Sequence, residues 1–115
     1  MKRTIEPRPV TPEEVAIVRW LLDNAPVCDV AAYRDQKLEE LRVVEICDCG
    51  CVSAFFESDN RGVKMLADAT AEYPDGQRAG LVLFGKDGRV TWLEVHDWEP
   101  GSSRRMPAIE NLSAG

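Results

Sequence analysis

Four short segments rich in Gly, Asp, Asn, Ser or Pro punctuate the chain after its first third: Asp48-Cys49-Gly50, Ser58-Asp59-Asn60-Arg61-Gly62, Tyr73-Pro74-Asp75-Gly76 and Gly85-Lys86-Asp87-Gly88. Glycine takes the positive φ that a tight reversal needs, and Asp, Asn and Ser bond their own backbone in turns. Between these segments lie residues 42–47, 51–56, 64–72, 78–84 and 89–98, where β-branched and apolar residues cluster with a period of two. A parallel neighbour needs a crossover of about a dozen residues or more, so strands joined this closely run antiparallel. The pattern predicts a five-stranded antiparallel meander.

The first third is helical instead. Thr11-Pro12-Glu13-Glu14 places a capping Thr, a Pro at the first helical position and a Glu at the third, which together satisfy free amides reciprocally. Val15, Ile17, Val18, Leu21 and Leu22 then recur at helical spacing until Asn24-Ala25-Pro26 stops the run, predicting a helix over 12–23. Asp29 is placed to cap a second helix carrying Val30, Tyr33 or Arg34, Lys37, Leu38 and Leu41 on one stripe. The expected fold is α+β, with two N-terminal helices packed on one face of the five-stranded meander sheet. Residues 1–99 form the single domain, and 100–115, rich in Gly, Ser and Pro without periodicity, form an irregular C-terminal tail.

Charge narrows the partners. With 14 Lys+Arg against 20 Asp+Glu, the 115-residue chain carries a formal charge of −6, which repels nucleic-acid phosphates and anionic headgroups. No run approaches the roughly 20 apolar residues of a membrane-spanning helix, and the opening MKRTIEPRPV lacks the apolar core of an export signal. The expectation is a cytoplasmic protein that binds neither nucleic acid nor membrane. Nothing in the pattern marks a free sheet edge, so the oligomeric state stays open.

The four cysteines include Cys47-Asp48-Cys49-Gly50-Cys51, three thiols alternating over five residues at a turn, where their sulfurs lie close whether the segment is extended or reversed. Three thiolates, completed by Cys28 or by His96, would give zinc a tetrahedral donor set. Zinc knuckles usually separate paired cysteines by two residues, and here the gaps are single. Two other readings stand beside it: small buried hydrophobes on strand faces, and a redox-active thiol group. A Cys47–Cys51 disulfide would be transient in a reducing cytosol. Asp48 beside the thiols argues against an activated nucleophile, whereas Cys28, before the second helix, is better placed to feel a helix N-terminus.

The only histidine lies in Trp92-Leu93-Glu94-Val95-His96-Asp97-Trp98-Glu99. Alternation puts Val90, Trp92, Glu94, His96 and Trp98 on one strand face and Thr91, Leu93, Val95 and Asp97 on the other, which is the cleaner core face until its Asp end. In the first set Trp92, Glu94, His96 and Trp98 are a candidate binding surface, because aromatics concentrate at protein interfaces; packing beneath the tail or a helix is the competing reading. A Glu94–His96 pair on one face also reads as an ordinary surface ion pair. Phosphate-loop, dinucleotide, HExxH and GxSxG motifs are all missing, and a single histidine excludes mechanisms that need two.

Arg8-Pro9-Val10-Thr11-Pro12-Glu13-Glu14, Trp20-Leu21-Leu22, the CxCGC turn and Phe84-Gly85-Lys86-Asp87-Gly88 leading into Trp92-Leu93-Glu94-Val95 together resemble short bacterial proteins of unknown function. The resemblance spans most of the chain. It implies one compact bacterial cytosolic domain and carries over no catalytic residue. The leading functional expectation is a non-enzymatic protein-interaction or accessory domain. The alternatives are a small zinc-binding protein using Cys28, Cys47, Cys49 and Cys51, and a thiol-based redox enzyme.

Overall fold

A computed structural model describes residues 2–114. The chain runs β1 (Lys2–Pro9), α1 (Pro12–Asn24), α2 (Ala31–Arg34), β2 (Arg42–Cys47), β3 (Ala54–Phe55), β4 (Lys64–Glu72), β5 (Arg78–Lys86), β6 (Arg89–Asp97) and β7 (Leu112–Ala114). The strands form one antiparallel sheet in the order β1-β2-β3-β6-β5-β4-β7. The α+β class therefore holds, while the described residues form seven strands and not five.

Helix α1 begins where the capping residues put it. Thr11 Oγ1 accepts the Glu14 N–H at 3.1 Å, and Glu14 Oε1 accepts the Thr11 N–H at 2.8 Å. Ile17, Val18, Leu21 and Leu22 are buried toward the sheet. The strand beneath α1 offers alanines, with Ala67, Ala69 and Ala71 of β4 almost fully buried, so the helix backbone can lie close to the sheet. Beside them β5 and β6 supply Leu81, Leu83, Leu93 and Val95, paired as Leu81↔Val95 and Leu83↔Leu93. Each of these large aliphatics contributes about 1.5–3 kcal/mol through burial.

The second helix shrinks to one turn, followed by a 3₁₀ turn at Leu38–Glu40. Val30 and not Asp29 is the N-cap, without a side-chain cap; Asp29, one residue earlier, accepts the Ala31 N–H at 3.0 Å, and Gln36 Oε1 accepts the Val90 N–H at 2.8 Å. The Gln36 side chain thus ties this segment to β6 while its N–H closes on the Tyr33 carbonyl at 3.3 Å, and Tyr33 and Leu38 still reach the core.

Only β4-β5-β6 form a true meander. Phe55 of β3 pairs with Trp92 on the outer edge of β6, so the chain must cross two strands to begin β4. The Ser58–Gly62 segment is thus a crossing loop and not a hairpin turn. Three strand spacings of about 4.8 Å lie well within the reach of the connecting residues.

The two unforeseen strands come from the ends of the chain. Residues 2–9 pair with β2, from Lys2↔Cys47 to Pro9↔Arg42, with a register shift between Thr4 and Arg8. The tail expected to be irregular forms 3₁₀ turns at Ser102–Arg104 and Ile109–Asn111, then adds β7 to β4. Tyr73 Oη helps hold it by donating to the Arg105 carbonyl at 2.7 Å, while the Arg105 guanidinium lies 4.2 Å from the Tyr73 ring centre. Among the described residues no helix is long and apolar enough to cross a membrane.

Candidate metal centre

The cysteine turn leaves β2 at Cys47 and returns at Cys51 without entering the ladder again until Ala54. Gly50 makes the reversal with φ +89°, and its N–H closes toward the Cys47 carbonyl at 3.5 Å. A side chain at that position would meet the Arg104 guanidinium, whose Nε lies 3.5 Å from where a Cβ would stand. The positive φ makes Gly50 a constrained point, whereas the Arg104 approach is an ordinary van der Waals contact.

The reversal gathers the three sulfurs. Those of Cys47, Cys49 and Cys51 lie within 4.8 Å of one another, and Cys47 Sγ approaches Cys49 Sγ at 2.8 Å. Two backbone amides point at them: the Cys49 N–H donates to Cys47 Sγ and the Cys51 N–H to Cys49 Sγ, each at 3.4 Å. Hydrogen bonds of this kind favour sulfur that carries negative charge, as a thiolate ligand does. Cys49 is exposed, whereas Cys47 and Cys51 are half-buried.

Ser53 anchors the returning arm, a role the sequence did not single out. Its hydroxyl donates to the Val95 carbonyl at 3.2 Å and accepts the Val95 N–H at 2.9 Å, standing in for a strand neighbour. The Cys51 thiol donates to the same oxygen at 3.3 Å. The Val52 N–H adds a bond to the Ser103 carbonyl at 2.8 Å. A serine two residues beyond Cys51 carries no sequence signal for this, because its partner lies 42 positions away.

The two clusters separated in sequence share a groove of about 300 Å³. The three cysteines line it together with Trp92, Glu94 and His96. Trp92 is stacked between Phe55 at 5.0 Å and Phe84 at 4.3 Å, and its indole N–H is buried without a partner among the described residues. His96 is exposed and crosses Gly80 of β5, where a Cβ would fall 2.2 Å from its ring. Trp98 stays outside the groove, 49% exposed, with the Arg78 guanidinium 5.1 Å from its ring centre. Asp97 turns its carboxylate to the Ser103 and Gly101 amides at 2.7 and 3.2 Å, and hydrogen bonding from the Ser103 side chain, with these amides beside it, holds the group below the usual carboxylate range.

Cys28 does not join the other three. Its thiol donates to the Met65 carbonyl at 3.6 Å, at the beginning of β4. Met65, Phe84, Trp92, Phe55 and Glu45 form one row across five strands, and Glu45 stands two residues before Cys47. Four spacings of about 4.8 Å therefore separate Cys28 from the turn, too far for a shared ion.

Behind the turn, a second cavity of about 470 Å³ reaches Arg8 and Glu14. Glu14 is 2% exposed and takes two hydrogen bonds from the Arg8 guanidinium, at 3.1 and 2.9 Å. Burial pushes the Glu14 carboxyl up, but Arg8 and the Thr11 amide outweigh it and hold the group below its ordinary value. Comparison with protein-family models, with curated proteins and with solved structures finds no match for this chain.

Proposed function

We propose that the chain is a small zinc-binding protein in which Cys47, Cys49 and Cys51 hold one ion as thiolates. The observation that carries this reading is the meeting of three sulfurs within 4.8 Å on one five-residue turn. Soft sulfur donors suit zinc, which binds cysteine thiolates in structural and catalytic sites alike. The amides directed at two of the sulfurs, and the Arg104 guanidinium beside Gly50, offset the negative charge that three thiolates bring. An ion here ties the end of β2 to the arm leading into β3, where ladder bonds are few, so metal binding contributes directly to folding.

The test is elemental analysis of untagged protein, with thiol counting and melting curves with and without chelator. One zinc per chain, lost in Cys49→Ser, is the expected result. Because Cys49 is exposed, the metal-free variant should melt with the metal-free wild type, within about 0.5 kcal/mol. Four reactive thiols and a melting temperature indifferent to zinc would end the reading.

Trp98, exposed beneath Arg78 on an acidic chain, favours a second role as a protein-interaction domain. The two readings are compatible, with the ion holding the scaffold and the aromatic surface meeting a partner.

A further inference from the structure

We infer that His96 supplies the fourth zinc ligand by swinging off Gly80 into the groove it already lines, an inference that rests on the three-thiolate reading above. Zinc bound by three cysteines needs one more donor for a closed tetrahedron, and Cys₃His is an established structural set. The described residues offer few candidates. Cys28 is four strands away, Asp97 is committed to two backbone amides, and Ser53 is occupied by Val95. Glu94 shares the groove, but imidazole completes a thiolate-rich zinc site better than a carboxylate, whose added negative charge would meet three thiolates.

His96 is free to move. The ring is exposed and forms no hydrogen bond among the described residues, and only glycine at position 80 leaves room for it to lie flat on the sheet. Exposed side chains change rotamer in picoseconds to nanoseconds, so the ring is free to leave Gly80. The connection to the turn is short in structural terms: Cys51 Sγ bonds Ser53 Oγ, Ser53 bonds both backbone groups of Val95, and His96 is the next residue. The groove thus has the imidazole and the three sulfurs on one lining, with the ring outside the 4.8 Å cluster, and the swing closes the remaining distance. Such a site takes zinc in four-coordinate form, whereas removal of the imidazole leaves three sulfurs suited to monovalent copper.

The experiment titrates metal-free wild type and His96→Gln with zinc against a chromophoric chelator, and follows the histidine ring nitrogens by NMR. Losing an outer-shell partner alone costs roughly 10- to 100-fold in metal affinity, so His96→Gln should lose more than about 10-fold, and the wild-type ring nitrogens should shift on zinc addition. Equal affinity of the two proteins, or ring nitrogens that do not move, overturns the role of His96 and leaves the three-thiolate site standing. No zinc binding by the wild type overturns both. Melting of metal-free His96→Gln alongside metal-free wild type separates loss of a ligand from loss of the fold.

Discussion

The two halves of the sheet are built differently. On one side β4, β5 and β6 are nine-residue strands paired along most of their length, with a core face of Ala, Leu and Val almost fully removed from water. On the other side β3 is two residues long and pairs with each neighbour through only two registered positions. The cysteine turn sits in this second half, where side chains such as Ser53 do the work that ladder amides do elsewhere. A strand half that is already fully bonded gains little from a metal ion, whereas a turn held by a few side-chain bonds gains much.

The sharpest way to break this contrast is to cut into the meander. Leu83, fully buried at the centre of β5, should cost about 4 kcal/mol as Leu83→Ala, read by urea denaturation of the metal-free protein. A loss below 1 kcal/mol would mean that β4-β5-β6 is not the stable half.

Ser53→Ala probes the other half. It removes the hydroxyl that serves both the Val95 N–H and C=O, and should cost about 2 kcal/mol because buried backbone groups lose their partner. Hydrogen exchange should rise first at Val95 and around the cysteine turn, leaving β4 and β5 protected. Uniform exchange across the sheet would erase the distinction between the halves.

Glu14→Gln is the mildest change. Gln still serves the capping box, so the variant isolates the ion pair with Arg8, which is 40% exposed and therefore partly screened; about 1 kcal/mol is expected. The folded Glu14 carboxyl lies below its unfolded value, so its stabilisation is present above the ordinary glutamate pKa near 4.3 and is lost as pH falls through the folded value. The stability gap between wild type and Glu14→Gln should be full at about pH 6 and close as pH falls below about 4. A gap independent of pH would show that the pair contributes nothing through its charge.

Much of the fold was legible in the chain. Thr11, Pro12 and Glu14 set the start of α1, and alternation along β6 correctly assigned Thr91, Leu93 and Val95 to the core and Trp92, Glu94 and His96 to the open face. It failed at the ends, where Val90 beside the register shift is fully buried and Asp97 is exposed. The cysteine turn was visible as a reversal at Gly50 with its sulfurs together. The common property of these features is locality: caps, turns and strand alternation depend on residues a few positions apart.

What tertiary structure decided depends on partners far along the chain. Lys2–Pro9 and Leu112–Ala114 contain no periodicity strong enough to mark them as strands; they become strands because β2 and β4 have edges to satisfy. The same applies to the place of β3, which joins β6 and not β4, with Phe55 stacked on Trp92. Cys28 was grouped with the other cysteines by residue type, and strand order removed it, whereas that order brought His96 into their groove. Residue chemistry is written locally, but which chemistries meet is fixed by strand order, and strand order is set by pairing energies summed over the whole sheet.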